Sequence, residues 1–222
     1  TQEQKWAAVA VLVLCMTLIS YQQIVKESGL PWLPLDIDIP HQAMLEEAQN
    51  IKHLFVPHRD KDRQGGYRHK GWRSLCIHGI SAEKTNHFTE YGYRSNEEVP
   101  YNWTEIAKLC PITTSFFKER YPISNYFRVR FMLLEPGGFI SPHVDTEKAS
   151  LSPVNIALNH PKGCIFKMEK PGVVPMKPGI VMLLDVSNKH AYINKSEEDR
   201  IHIIVHGKPT KEYKELVEKS YA

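Results

Sequence analysis

No Cys-x-x-Cys pair occurs in this chain: Cys15, Cys76, Cys110 and Cys164 stand far apart. That scatter argues against a zinc ribbon or a thioredoxin-type redox pair, and it suits reduced thiols better than a disulfide framework. No block of lysine or arginine is present and the formal charge is only +3, so nothing marks a nucleic-acid-binding arm. His58-Arg59-Asp60 has the letters of a kinase catalytic loop, but no glycine-rich loop precedes it and no Asp-Phe-Gly follows, which removes that reading. Followed by the charged, glycine-containing residues 61–66, it reads as surface or as a loop near a substrate. With 42% hydrophobic and 24% charged residues, the composition is that of a folded globular protein. A length of 222 residues accommodates one large domain or two small ones.

Residues 6–25 are without a charge, and residues 7–19 read AAVAVLVLCMTLI. A helix of that length is roughly 30 Å long, about the hydrocarbon thickness of a bilayer. A single membrane span is the favoured expectation, with Trp6 and Tyr21 as interfacial aromatics. A buried or dimer-contact helix is the alternative, and a cleaved signal peptide lacks a small-x-small site after the apolar run. The corresponding localisation is membrane-anchored, with a cytoplasmic protein as the other choice. Residues 28–34, with Gly29, Pro31 and Pro34, read as a linker. The expected division is therefore residues 1–29 as hydrophobic helix and linker, and residues 30–222 as the globular domain.

Residues 40–54 carry apolar side chains at amphipathic helical spacing, and residues 72–78 read as a strand. Residues 89–102 form a polar, tyrosine-rich loop, and residues 103–120 resume helical periodicity, interrupted at Pro111. From Tyr126 the pattern becomes short β-rich runs. The run 127–134 is expected to stop at Glu135-Pro136-Gly137-Gly138; others follow at 153–158, 164–168, 173–176, 180–185, 191–194 and 201–205, and residues 213–221 close as a helix. Closely spaced short strands imply a mainly β fold with flanking helices: an antiparallel sandwich or barrel of jelly-roll type.

Eleven histidines is a high count, and three positions stand out. Side chains alternate along a strand, so His143 and Asp145 are expected on one face. With His190 arriving from a later strand they make a two-histidine, one-carboxylate set, which suits iron(II) and leaves coordination positions open. Arg200 begins the run 200–205, ten residues after His190, and a hairpin over residues 194–199 is expected to bring it alongside that histidine. A buried guanidinium needs a carboxylate-like partner. Asp185 and Asp199 are the acids near it in sequence; the carboxylate of a co-substrate, 2-oxoglutarate, is the other candidate. His202 shares the face of Arg200 by parity.

The run from Leu134 through Glu135-Pro136-Gly137-Gly138 to His143-Val144-Asp145, with Lys189-His190-Ala191 and Asp199-Arg200-Ile201-His202, resembles the 2-oxoglutarate/iron(II) dioxygenases. Within them it is most similar to the aspartyl/asparaginyl β-hydroxylase family, over residues 33–206. The resemblance implies a double-stranded β-helix, a hydroxylase consuming O2 and 2-oxoglutarate, His143 and His190 as iron ligands, and Arg200 as the 2-oxoglutarate anchor. It places Asn155 on a strand carrying further co-substrate contacts. Arg128, Arg130 and His160 are candidate substrate contacts. The β-hydroxylase that modifies epidermal-growth-factor-like domains lacks a carboxylate two residues after its first histidine, whereas this chain has Asp145. A free amino acid therefore stands beside an aspartyl/asparaginyl-type peptide side chain as the expected substrate. A cupin-like jelly roll that binds a metal or sugar without redox chemistry is the rival expectation; it needs no Arg200.

Overall fold

The computed structural model describes residues 20–59, 68–151 and 153–222. In chain order these form α1 (Tyr21–Ser28), β1 (Trp32–Pro34), α2 (His41–Asn50), β2 (Val56–Pro57), β3 (His69–Gly79), β4 (Asn102–Trp103), α3 (Ile106–Leu109) and α4 (Pro111–Glu119). There follow β5 (Ile123–His143), β6 (Val154–Ala157), β7 (Cys164–Met168), β8 (Gly172–Val173), β9 (Val181–Leu184), β10 (His190–Asn194), β11 (Arg200–Pro209) and α5 (Lys211–Tyr221). Every pairing among them is antiparallel, and the strand order β1-β9-β6-β11-β5-β10-β7-β8 curls into a mainly β fold, with β3 also on β5.

Alternation along the strands sorts the two faces. Val129, Phe131 and Leu133 of β5, with Ile201, Ile203 and Val205 of β11, turn to an outer core shared with Met44 and Ala48 of α2, Phe116 and Phe117 of α4, and Tyr213 and Val217 of α5. The inner face holds a second apolar cluster that includes Leu134, Ile140, Phe166, Met182, Leu184 and Tyr192. Glu47 on α2 ties the helices together: its carboxylate accepts from the Ile112 and Thr113 amides at 2.6 and 2.9 Å. Those are donors at the N-terminus of α4, which the helix leaves unsatisfied and where negative charge is favoured.

Three expectations need correction. First, residues 6–19 of the anticipated membrane span lie outside the described residues, and among the described residues no helix is long and apolar enough to cross a membrane. The rest of that stretch is not interfacial. Ser20 caps α1, Gly29 ends it at φ +68°, and Tyr21 and Ile24 are buried in the outer core. The Tyr21 hydroxyl donates to the Leu183 carbonyl. Second, the supposed linker contains β1, which pairs with β9 from Trp32–Leu184 to Pro34–Met182.

Third, β5 does not stop at Glu135-Pro136-Gly137-Gly138; it bends there and runs on to His143. The bend is a bulge. Leu134 pairs with Trp72 and Phe139 with Lys70, so the extra residues oppose Gly71 alone. With β3 along one edge, the other edge of β5 is occupied by β11 up to Leu134 and by β10 from Phe139 onward. Residues 194–199 are thus a corner matching the bend rather than a hairpin, because β10 and β11 never pair with each other. The Asn194 side chain fastens the corner by donating to the Leu134 and Glu198 carbonyls at 2.9 and 2.7 Å.

The two glycines of the bend have different reasons to be glycine. Gly137 sits at φ +69° in open space, whereas a Cβ on Gly138 would lie 2.7 Å from the Glu135 carbonyl and 2.9 Å from that of Lys70. Gly138→Ala is therefore expected to cost about 1–3 kcal/mol by forcing two backbones apart. Gly137→Ala is expected to cost nearer ~1 kcal/mol, for the left-handed conformation alone. Urea unfolding of both variants checks this; a reversed ranking would refute the packing account of the bend.

Candidate active site

β5 ends at His143, directly opposite His190 at the start of β10. Asp145 is therefore not delivered by strand alternation. It lies just past the strand end, where its amide donates to the Val186 carbonyl at 3.1 Å. The result still brings the three side chains together: the ligand atoms of His143, Asp145 and His190 all lie within 4.8 Å of one another. Asp145 oxygens stand 3.5 Å from His143 Nε2 and 3.7 Å from His190 Nε2.

The imidazoles are set by their backs. His143 Nδ1 faces the Ser141 carbonyl at 2.9 Å and His190 Nδ1 the Asn188 carbonyl at 2.8 Å. A carbonyl only accepts, so each Nδ1 carries the proton and each Nε2 lone pair turns to the shared space. Burial first, and then the neighbouring His190, hold His143 below the ordinary imidazole range, while Asp145 opposes them. Two neutral nitrogens and a carboxylate, with second-sphere carbonyls fixing the tautomers, fit a divalent transition metal. Asp185 builds the loop behind them, accepting from the Ser187 amide and hydroxyl and from the Asn188 side chain. That turn presents both the Val186 and Asn188 carbonyls.

Arg200 is fully buried. One terminal nitrogen meets His202 Nδ1 at 2.5 Å, the other donates to the Tyr192 hydroxyl at 3.1 Å, and Nε has no partner. The guanidinium also lies 4.3 Å from the centre of the Tyr192 ring, which stacks on Phe166. Neither acid suggested by the sequence reaches it. The Asp185 carboxylate serves its own loop, and Asp199 pairs with Lys52. Burial, Arg200 and Arg130 press His202 well below the ordinary imidazole range, so it remains a neutral acceptor. A charge sealed from water without a counter-charge fits a carboxylate ligand.

Both groups open onto one cavity of about 300 Å³, which Arg128, Arg130, Asn155 and His202 also line. Asn155 Oδ1 is buried without a partner. His160 does not line the cavity; it is half-buried beyond it, close enough to feel the charge of Arg200. His58, read from the sequence as surface or as a loop near a substrate, is buried, bonded to Ser74 and Thr85, and lines the cavity; Asp60 lies outside the described residues. Tyr192 and His206 escaped the sequence analysis although parity carries them, two residues beyond His190 and four beyond His202. Nothing local marks Asn86 or Trp72.

The family description "Aspartyl/Asparaginyl beta-hydroxylase" matches residues 38–209. The chain belongs to the aspartyl/asparaginyl β-hydroxylase family. Its chemistry is that of a 2-oxoglutarate- and iron(II)-dependent dioxygenase. No curated protein matches.

Among solved structures, it is similar to a prolyl hydroxylase from Trichoplax adhaerens in complex with a hypoxia inducible factor oxygen degradation domain peptide fragment. That likeness has 11% identity, covers 83% of this chain and 86% of the other, and has a TM-score of 0.50. A Pseudomonas putida prolyl-4-hydroxylase matches at 14% identity, 83% and 97% coverage and TM-score 0.47. The viral collagen prolyl hydroxylase of Paramecium Bursaria Chlorella virus-1, in its 2-oxoglutarate complex, matches at 12% identity, 80% and 96% coverage and TM-score 0.41. At such identities the likeness is one of fold.

The buried histidines of this family member give it a pH dependence. Burial is the main cause that keeps His58 and His202 neutral, well below the ordinary value of 6.5. The unfolded chain takes up protons at both positions below that value, so unfolding gains protons as pH falls. Stability is full above about pH 6.5 and declines beneath it, at up to about 2.7 kcal/mol per pH unit for two protons. Urea midpoints between pH 7.5 and 5 test this; a flat profile contradicts it.

Proposed function

We propose that the protein hydroxylates an amino acid or an aspartyl/asparaginyl-type side chain of a peptide, with His143, Asp145 and His190 holding iron(II) and Arg200 holding 2-oxoglutarate. The observation that carries this reading is a fully buried Arg200 with no carboxylate partner among the described residues, in the same cavity as the triad. A cupin-like metal or sugar site has no use for such a group, and the reading as an oxygenase gains accordingly.

Iron(II) bound at the triad supplies oxygen activation coupled to oxidative decarboxylation of 2-oxoglutarate to succinate and carbon dioxide. The chain's own residues prepare for it. The Ser141 and Asn188 carbonyls hold both imidazoles in the Nδ1–H tautomer, keeping Nε2 free to ligate. Asp145, with its side chain 40% exposed, faces the open side where small molecules enter. The Arg200 guanidinium forms a fork for the distal carboxylate, steadied by the Tyr192 hydroxyl and neutral His202, while Asn155 lines the cavity at the level of Ile204. Apolar walls from Leu134, Ile140, Phe166 and Leu184 line the same cavity and exclude water from the reacting atoms. Arg128 and Arg130 are the candidate substrate contacts; His160 is withdrawn from that role because it lies off the cavity.

Succinate release with iron(II), 2-oxoglutarate and a panel of amino acids and peptides tests the reading. His143→Ala is expected to reduce substrate-stimulated turnover to background. Arg200→Lys is expected to raise the 2-oxoglutarate KM about tenfold or more, since an ammonium cannot reproduce the bidentate fork. Equal turnover by wild type and His143→Ala would refute the assignment.

A further inference from the structure

The cavity has a second cationic wall that neither the triad nor the Arg200 end uses. Arg128 and Arg130 project into it from β5, opposite His206 and Ile204 of β11. Each guanidinium is pinned by one backbone carbonyl of consecutive residues: Arg128 Nη1 donates to Asn86 O at 2.7 Å, and Arg130 Nη1 to Thr85 O. Neither pairs with a carboxylate among the described residues. Arg130 is only 6% exposed, yet its Nε has no partner, and neither has His206 Nδ1 or Asn86 Oδ1. Burial, followed by Arg128 and Arg130, holds His206 well below the ordinary imidazole range, so its ring is a neutral group able to offer an N–H.

This wall stands apart from the co-substrate end. Arg130 is in register with Ile204, four residues along β11 from Arg200. That is roughly 13 Å along the backbone at strand rise, so the two side chains enter the cavity from different levels of the sheet. The charges then leave a remainder. Asp145 is the one carboxylate among the described cavity-lining residues, against the guanidiniums of Arg59, Arg128, Arg130 and Arg200. On the function proposed above, iron(II) and the 2-oxoglutarate dianion offset each other, and Asp145, whose charge reaches Arg130, offsets one of the guanidiniums of Arg128, Arg130 and Arg200. Arg59 has other contacts and is left out of the count. Among the described residues two positive charges then remain, with Arg130 buried and Arg128 half-buried, where an uncompensated charge is costly.

We infer that Arg128 and Arg130 form a substrate anion site, and that the molecule hydroxylated here presents two negative charges to it, as a dicarboxylate or a phosphomonoester does. A neutral side chain or a zwitterion would leave the wall unpaired. The inference rests on the oxygenase reading for the charge count, and one experiment separates the two.

The full chain, loaded with manganese(II) under anaerobic conditions, is titrated calorimetrically with 2-oxoglutarate and then, at saturating 2-oxoglutarate, with L-malate, phosphoserine, L-serine and L-asparagine. One of the two dianions is expected to bind at one equivalent, with the neutral pair at least about tenfold weaker. Arg130→Met and Arg128→Met are each expected to lower dianion affinity about thirtyfold or more. Absence of 2-oxoglutarate binding would undo the oxygenase reading. Normal 2-oxoglutarate binding with no preference for either dianion would overturn the anion site alone, as would dianion affinity surviving both substitutions. Should the variants not fold, the wild-type preference between charged and neutral probes decides by itself.

Discussion

An arginine sealed completely from water, with no acid to pair with among the described residues, is the constraint around which this molecule is arranged. Removing a guanidinium from solvent costs several kcal/mol unless something compensates it, and Arg200 receives only a neutral imidazole, a phenol oxygen and an aromatic face. The surrounding strands support that arrangement because the outer core of β5 and β11 is packed without regard to it. The result is a buried cation whose cost of desolvation is already met by folding.

β5 is the spine that links this charge to the cluster of His143, Asp145 and His190. Before its bend it carries Arg128 and Arg130 and pairs Leu134 with Arg200; after it, the same strand ends at His143. The bulge at Pro136-Gly137-Gly138 lets one strand serve both layers, and Asn194 fastens the matching corner on the neighbouring chain segment. Side chains on strands held this way are positioned more closely than loops allow. Asp145, the one member of the cluster off the strands, borrows its position from the Val186 carbonyl in a loop organised by Asp185.

The cavity is strongly cationic, and that has a consequence for specificity. Among the described residues this chamber is lined by several guanidiniums and one carboxylate, so a ligand that leaves a buried cation unpaired forfeits more than one that fits its walls poorly. Neutral, buried His202 and His206 add donors and acceptors to the site without adding to that charge.

The sequence alone determined the mainly β class and the family, and it singled out His143, Asp145, His190 and Arg200 as a set, because these readings rest on residue type and order along the chain. Tertiary structure decided the remainder. The fate of Asp199, the burial of Tyr21, the strand hidden in the supposed linker and the continuation of β5 through its glycines all depend on partners between about sixty and more than one hundred and fifty residues away, or on backbone carbonyls that no side-chain pattern encodes. A local pattern specifies which face a side chain takes; what stands opposite that face is fixed only when the sheet closes.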